Sequence, residues 1–396
     1  MSEIKVNSIK GVGASTAAIT VNNTDGTCTA NITNNLSNRN KVINGGMIVN
    51  QRGDQSATGS AGYFACDRFK TVNNCGALVA ISQSTDTPDG FGNSMKWDCT
   101  TADTSIAASD FFMIRYGFEG RDLQDMQKGT SSAKKVVLSF YAKATKTGTY
   151  IVELIDHDNS SRHVNKSYTI SDTNWNRYTI SYPADTTGTL DNDSNKSMDI
   201  NFWLVAGSTY NSGTLQTAWG ADTNANRAVG QVNAMDSTSN DFFLTGVQLE
   251  IDHSGLGIAS DFEHRSYAQE LALAQRYYIQ YDRNGSTADD GLTSGICNVV
   301  AGDSNDCFGF LQLPTCMRAS PTLAYSDAGH FQTTRVFSNT TDIGGSISLA
   351  YATSNPFQNI YIRTNTSPNP SFSSGDVFNF RMKNQTAAVL SFSAEL

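Results

Sequence analysis

The hydrophobic residues of this chain alternate with polar ones over short stretches, most clearly in residues 136–144, VVLSFYAKA. Leu138 and Phe140 fall on one side of this stretch, whereas Ser139 and Tyr141 fall on the other. A period of two residues is typical of a β-strand with one buried face. The pattern therefore predicts a strand whose even-numbered residues face a core.

The same period recurs four more times before residue 258, between turns rich in Gly, Asn, Asp and Ser. The residues predicted to share one face of each strand are Tyr150, Val152 and Leu154; Tyr178, Ile180 and Tyr182; Ile200, Phe202 and Leu204; and Phe243, Val247, Leu249 and Ile251. Short strands broken by polar turns favour an antiparallel sandwich over alternating strands and helices. We predict one jelly-roll β-sandwich over residues 42–258.

Strand-like stretches resume in the last part of the chain, with CFGFLQLP, NIYIR, VFNFRM and AVLSFSAEL. Prolines punctuate this region, and its length suits one small β-sandwich. We predict a second, smaller β-sandwich over residues 285–396, so that the fold class is all-β.

One stretch, DFEHRSYAQELALAQRYYIQY, has a helical rather than a strand period. Ser260 and Glu263 have the spacing of a capping box at its start, and Asn284-Gly285 supplies a left-handed stop. We predict a single linking α-helix over residues 259–284.

An apolar stripe with 4-3-4-3 spacing follows the predicted helix. Its members are Tyr267, Leu271, Ala274, Tyr278 and Tyr281. This spacing is that of a coiled-coil seam, but three turns are too few to choose between two interpretations. In one, the helix packs on its own domain; in the other, the stripe forms the seam of a homotrimer.

Residues 1–41 are small and polar and have too few apolar side chains to form a core alone. We interpret them as an N-terminal attachment arm that becomes ordered on a partner or on sister chains.

The composition limits the classes of partner that we expect. Charged residues make up 16% of the 396 residues, and the net charge of −9 without a basic run argues against nucleic acid. An apolar stretch of 18 residues does not occur, so we expect no membrane insertion. The N-terminus lacks the apolar region of a signal peptide, and seven cysteines without a C-x-x-C pair are interpreted as thiols of a protein made in a reducing cytoplasm.

Catalytic patterns are not found in the sequence. It contains no H-E-x-x-H, G-x-S-x-G, phosphate-binding loop or Rossmann glycine signature. His264 and Ser266 are two residues apart on the predicted helix and would face different directions. We therefore predict a protein that is not an enzyme and that has no cofactor.

One acidic stretch, DNDSNKSMD, resembles an oxygen-rich calcium loop. Asp191, Asp193, Asn195 and Asp199 occupy ligand positions 1, 3, 5 and 9. Lys196 stands where such a loop needs glycine, and Phe202 where it needs a bidentate glutamate. A polar hairpin loop is the favoured interpretation, and calcium remains the alternative.

Sugar-binding sites on β scaffolds use aromatic rings near loops. Trp203 is predicted to face outward, because it lies on the opposite face of its strand from Phe202. The candidate ligand-binding residues are Trp203, Tyr210 and Trp219 in the large domain, and Phe357 and Tyr361 in the C-terminal domain. Packing roles are the alternative for each of them.

Several separate stretches carry a family resemblance. They are VINGGMIVNQRG, YFACDRFK, VVLSFYAKATKTGTY, AVGQVN, DFFLTGVQLEI, FEHRSYAQELALAQRYY and LQLPTCMRASPTL. Over about residues 42–325, the chain resembles tail-fibre or related virion appendage proteins of tailed bacteriophages, marine phages especially. The resemblance implies a jelly-roll domain similar to carbohydrate-binding modules, a linking helix, a β-rich C-terminal domain and trimeric assembly.

The function expected from this resemblance is attachment of a virion, as a tail fibre or receptor-binding appendage, to a glycan on the host surface. Residues 1–41 would dock on other virion proteins. Two alternatives within the virion are a capsid- or collar-attached fibre and a structural adaptor without a receptor. An alternative from another class is a polysaccharide depolymerase, which would need two carboxyl groups across a sugar cleft.

Overall fold

A computed structural model describes most of the chain. The described residues are 6–12, 17–22, 24, 28–30, 37–282, 295–303, 306–335, 339–342, 347–351, 357–365, 373–382 and 388–396. The contacts divide the chain into two compact units. Unit 1 consists of Met1–Ile48, Asp54–Ala65 and Phe69–Arg265, and unit 2 of Val49–Gly53, Cys66–Arg68 and Ser266–Leu396.

Unit 1 is built almost entirely of strands. They are β1 (Ser8–Ile9), β2 (Ile19–Val21), β3 (Cys28–Ala30), β4 (Gln55–Thr58), β5 (Gly62–Tyr63), β6 (Phe69–Asn73), β7 (Leu78–Ser84), β8 (Ser94–Thr101), β9 (Phe111–Glu119), β10 (Val136–Ala144), β11 (Gly148–Asp156), β12 (Arg162–Ile170), β13 (Asn176–Tyr182), β14 (Lys196–Ala206), β15 (Gly220–Ala221) and β16 (Asp241–Ile251). Its helical turns are α1 (Ser208–Asn211) and two 3₁₀ helices, Gly120–Met126 and Asn224–Asn226.

Two antiparallel sheets form the sandwich of unit 1. One has six strands in the order β13-β10-β16-β8-β7-β4, and the other seven in the order β15-β12-β11-β14-β9-β6-β5. From β9 to β16 the chain passes repeatedly from one sheet to the other, as in a jelly roll. The predicted all-β jelly-roll sandwich is confirmed. A separate three-stranded sheet, β1-β2-β3, lies in the N-terminal segment.

The predicted alternation places the core between these sheets. Phe140 of the six-stranded sheet lies with its ring centroid 5.0 Å from that of Phe202 in the seven-stranded sheet. The indole N–H of the buried Trp97 donates to the hydroxyl of Thr71 across the same interface at 3.0 Å. The even-numbered residues of β10, β11 and β14 are therefore the inner ones, as predicted.

A β-bulge changes the face of one predicted residue. The register between β10 and β16 shifts between Ser139 and Tyr141, opposite Gly246, which has a φ of 61°. Because a bulge inserts one extra residue, the strand's inner positions change parity there. Val247 is therefore inner as predicted, but Phe242 rather than Phe243 is the fully buried residue before the bulge.

Unit 2 contains one α-helix and a second set of strands in its described residues. They are α2 (Tyr267–Gln275), β17 (Tyr278–Asp282), β18 (Gly295–Ala301), β19 (Asp306–Met317), β20 (Thr322–Tyr325), a 3₁₀ helix (Ala328–His330), β21 (Phe331–Arg335), β22 (Asn339–Asp342), β23 (Ile347–Tyr351), β24 (Phe357–Asn365), β25 (Val377–Met382) and β26 (Val389–Ser393). A three-stranded sheet, β17-β26-β20, and a seven-stranded sheet, β22-β21-β25-β18-β19-β24-β23, share one apolar core.

The predicted helix over residues 259–284 is wrong in its extent. The capping box is formed by Ser266 and Gln269, and the helix ends at Gln275. Ser260 instead makes two hydrogen bonds to the carboxylate of Glu250: the backbone N–H of Ser260 donates at 2.8 Å and the Ser260 hydroxyl donates at 2.6 Å. The proposed stop at Asn284-Gly285 lies outside the described residues.

The predicted heptad seam is wrong for the same reason. Tyr278 and Tyr281 lie in β17, where they pair with Ser393 and Leu390 of β26, so they cannot continue a helical stripe. In the helix itself, Ala274 is buried, Leu271 is half-buried and Tyr267 is 57% exposed. The stripe therefore does not exist as a single surface, and homotrimer formation stays a prediction without this seam.

A buried ionic cluster holds two early segments of the chain within unit 2. The guanidinium of Arg52 pairs with Asp67 and with Glu395, both at 2.9 Å, and lies 3.5 Å from the ring centroid of Tyr278. Arg68 pairs with the same Glu395 and lies 3.4 Å from the ring centroid of Tyr277. It adopts a φ of 76°, an unfavourable conformation for a residue with a Cβ.

This cluster should make the stability of unit 2 depend on pH. Burial raises the pKa of Asp67 from 3.8 to about 6, against the opposing effect of Arg52. Because the folded state holds the proton more tightly, Asp67 lowers the free energy of unfolding as the pH rises through this window, by up to about 3 kcal/mol. We expect Asp67→Asn to remove this part of the pH dependence.

Hydrogen exchange of the β26 amides between about pH 4 and pH 7, corrected for intrinsic rates, measures this effect. Asp125→Asn is the control, because Asp125 forms an exposed pair with Lys41 in unit 1. Equal loss of protection with pH in wild type and Asp67→Asn would contradict the assignment.

Candidate functional site

The outward face of the seven-stranded sheet of unit 1 carries a continuous row of polar side chains. Register pairing places one residue of each of six adjacent strands in line. We call this set the polar row; its members are Tyr63, Lys70, Arg115, Asn201, Glu153 and Asn165. At a strand spacing of about 4.8 Å, the row crosses roughly 24 Å of the sheet.

The residues of the row reach this face because the strands alternate. In β11 and β14 the even-numbered residues fill the core, so Glu153 and Asn201 point to the other side. The amide of Asn201 links two neighbours: its nitrogen donates to Glu153 Oε2 at 2.7 Å, and its oxygen accepts from Arg115 Nε at 2.8 Å.

Glu153 forms the buried end of this network. Arg227 donates from Nε and Nη2 to the two carboxylate oxygens of Glu153, both at 2.7 Å. Burial alone would raise the pKa of Glu153, but Arg227 and Asn201 bring it below its usual range. The carboxylate is therefore ionised and fully paired.

Arg227 belongs to a segment that covers one end of the row. We call residues 207–231 the cover segment; it contains α1, β15 and a 3₁₀ helix. Its backbone binds the sheet directly: Gln216 O accepts from the N–H of Asn165 at 2.8 Å, and the N–H of Thr223 donates to His163 Nε2 at 3.1 Å. Burial is the main cause that lowers the pKa of His163, which favours its neutral form.

The other end of the row is more open. Arg115 keeps 23% of its side chain exposed and also lies 3.2 Å from Asp199 Oδ2. The same carboxylate is 2.8 Å from His157 Nε2 and 3.0 Å from Lys196 Nζ. Burial would raise the pKa of Asp199, but these neighbours lower it. Lys70 and Tyr63 continue the row, with the ammonium 5.3 Å from the ring centroid.

The buried polar atoms on this face without a hydrogen-bond partner among the described residues include Asn165 Oδ1, Asp199 Oδ1 and Trp203 Nε1. Buried polar groups are normally satisfied by protein or by bound molecules, so each such atom needs an explanation. A hydroxyl group that reached the Asp199 carboxylate would supply a missing hydrogen bond.

The predicted ligand residues of unit 1 are not gathered in the row. Trp203 does project from the outward face, but it is fully buried among Met113, Ile151 and Ala228, so its predicted exposure is wrong. Tyr210 of the cover segment packs against it, with the ring centroids 5.4 Å apart. The cover segment is the physical reason, because it shields a side chain that the strand itself turns toward solvent.

Trp219, which also belongs to the cover segment, is half-buried. Its indole N–H donates to Pro183 O at 3.0 Å, and Lys128 Nζ is 4.7 Å from its ring centroid. Lys128 is itself buried and paired with Asp156 and Asp185. Trp219 is thus part of an ion-pair cluster rather than a free aromatic platform.

In unit 2, Tyr361 lies on the outer side of β24. Its ring stacks on Phe308 with centroids 5.7 Å apart and an interplanar angle of 13°, and Phe310 is 4.7 Å away. Phe310 is 71% exposed. The side chain of Phe357, the first residue of β24, lies outside the described part of the chain.

The four calcium candidates are not brought together. Asp199 lies buried in β14 with its basic partners, whereas Asp193 Oδ1 accepts from the backbone N–H of Asn195 in the preceding loop. Over the described residues, no three His, Cys, Asp or Glu side chains are grouped as metal ligands would be. The helices in the same residues include none long and apolar enough to cross a membrane.

No family model matches the chain, and no curated protein sequence matches it. Solved structures with similarity include the family 11 carbohydrate-binding module of a cellulosomal cellulase from Clostridium thermocellum, at 13% identity, covering 54% of this chain and 99% of that one, with a TM-score of 0.27. A putative sugar-binding protein from Bacteroides thetaiotaomicron has 14% identity, 54% and 100% coverage, and a TM-score of 0.29.

A third similar structure is the xylan-binding domain from Paenibacillus barcinonensis, at 10% identity, 51% and 97% coverage, and a TM-score of 0.24. At these scores the similarity carries no argument about a ligand. The jelly-roll assignment rests on the strand order of the two sheets.

Removing the charge of Glu153 tests whether its pair with Arg227 holds the cover segment. Glu153→Gln leaves a buried guanidinium without its counterion, and we expect it to lower the free energy of unfolding of unit 1 by about 3–5 kcal/mol.

The exposed pair of Lys41 and Asp125 is the control, and Asp125→Asn should cost less than about 1 kcal/mol. Urea unfolding followed by tryptophan fluorescence measures both, because all four tryptophans lie in unit 1. Equal effects would argue against the pair.

Proposed function

We propose that this protein is a non-catalytic attachment protein of a phage particle and that it binds a host-surface glycan across the open end of the polar row. The observation that carries the glycan proposal is the row itself: Tyr63, Lys70 and Arg115 lie side by side on adjacent strands. Sugar rings offer hydroxyl groups to such donors and an apolar face to an aromatic ring.

The rigidity of the site supports binding rather than scaffolding. Nε of Arg115 donates to Asn201 Oδ1 at 2.8 Å and lies 3.2 Å from Asp199 Oδ2. These contacts hold the guanidinium in place, so little side-chain entropy is lost when a ligand binds it. The donors stand on strands of a packed sandwich rather than on loops, which favours a preformed site.

The chemistry of the two carboxylates supports a non-catalytic role. Glycoside hydrolysis needs one protonated carboxyl group as general acid beside a second, ionised one. Glu153 and Asp199 are two of the buried carboxylates on this face, and their neighbours lower the pKa of both. Both are therefore ionised at neutral pH, and neither can donate the proton that a depolymerase requires.

The proposed place in a virion rests on the resemblance of about residues 42–325 to phage tail-fibre proteins. We propose that residues 1–41 dock on another virion protein, that the chain is made in the host cytoplasm, and that it assembles as a homotrimer. Several weak glycan contacts on one particle would then add up to firm attachment by multivalency.

A glycan array tests the binding proposal. We expect the purified protein to retain at least one class of oligosaccharide, and Tyr63→Ala and Arg115→Ala to weaken this retention by about ten-fold or more, because each removes a direct contact. Lys143→Ala is the matched control: it is a half-buried lysine on the outer face of the six-stranded sheet. New reducing ends released from a bound glycan would overturn the non-catalytic role, and equal retention by all variants would overturn the site.

Antibody labelling of purified phage particles tests the location. We expect the label on tail appendages, and sedimentation equilibrium of the purified protein should give the mass of three chains. Label on the head or collar would favour a capsid- or collar-attached fibre. Label at the tail core, together with an absence of glycan binding, would favour a structural adaptor.

A further inference from the structure

We propose that the glycan bound by the polar row is anionic, carrying carboxylate or sulfate groups along its chain. This inference rests on the proposed glycan-binding function and adds a substrate class to it. It comes from how the charges of this face are distributed between buried and exposed positions.

Acidic and basic side chains on the outward face differ in exposure. The acidic ones on its strands, Glu119, Glu153 and Asp199, are fully buried. The basic ones keep contact with solvent: Arg115 is 23% exposed and Lys196 is 27% exposed, and Lys70 is half-buried. A molecule approaching this face therefore meets cations above a layer of anions.

The ratio of basic to acidic side chains also differs between the two ends of the face. At the covered end, Glu153 and Arg227 form a closed one-to-one pair through two hydrogen bonds. At the open end, one carboxylate, that of Asp199, lies between Arg115 and Lys196. Within this group of three side chains, one negative charge faces two positive ones, so the group carries a net positive charge.

Other charged residues also lie near the row. Asp222 is 31% exposed, but it belongs to the cover segment and lies 3.6 Å from His163 at the covered end. Arg121, in the 3₁₀ helix after β9, is 47% exposed and has its own acidic partner, because Glu119 Oε2 lies 3.5 Å from its Nε.

A fixed arginine and nearby lysines are the groups that bind carboxylate and sulfate oxygens most strongly. The chain as a whole carries a net charge of −9, so it repels a polyanion at long range. Attraction must therefore come from this face at short range. Because the cations are partly exposed, salt should weaken binding.

The test compares three oligosaccharides of equal length by calorimetry: a uronate oligomer, a sulfated galactan oligomer and a neutral β-glucan oligomer. We expect at least one anionic probe to bind about ten-fold or more tightly than the neutral one in about 50 mM NaCl, and to lose most of this advantage in about 500 mM NaCl. The anionic probes also separate carboxylate from sulfate recognition.

The variants Arg115→Gln and Lys196→Gln should weaken anionic binding by about ten-fold and leave neutral binding less affected. Lys143→Gln, on the other sheet, is the charge-matched control and should change neither. Lys196 is more exposed than Arg115, so Lys196→Gln should disturb the fold less than Arg115→Gln. Thermal unfolding verifies that each variant is folded. Binding of the neutral probe as tightly as the anionic ones would overturn the anionic preference while leaving the glycan function intact. If no probe binds, the proposed function fails together with this inference.

Discussion

The carboxylates of Glu153 and Asp199 are buried on the outward face of the seven-stranded sheet of unit 1, whose strands are largely apolar. A charge removed from water is tolerated only when it is paired. Arg227 meets this requirement for Glu153 through two hydrogen bonds. Because Arg227 belongs to the cover segment, residues 207–231, the same pair holds that segment against the sheet. The segment then buries Trp203 and closes one end of the face. Asp199 is paired by groups that remain partly exposed, so the other end stays open.

The strands of unit 1 follow directly from a period of two residues, because one face of each packs in a core that excludes water. The pattern fails where a single residue changes the count: at Gly246 a bulge exchanges the roles of Phe242 and Phe243. It also fails over YYIQY, whose apolar residues fit a helical and a strand period equally well. Pairing with β26, more than a hundred residues later, decides in favour of the strand.

The polar row is harder to predict than the fold. Its six residues come from strands spread over about 140 positions, from Tyr63 to Asn201, and the register that aligns them is a property of the sheet. The available signal was a polar residue inside an apolar strand, such as Glu153 in TYIVELID or Arg115 in FFMIRYGFE. The rule that sugars stack on aromatic residues near loops instead selects Trp203, which is packed in an apolar cluster, and Trp219, whose ring lies against the ammonium of Lys128.

The pairing of Arg52 with Glu395 has a consequence for biosynthesis. These residues are separated by 343 positions, so all of the residues between them are synthesised before the pair can form. Contacts of such sequence separation form slowly, because a long loop must close before they contribute. Unit 2 can therefore complete its ionic cluster only after translation has passed residue 395, whereas the sandwich of unit 1 has all its strands by residue 251.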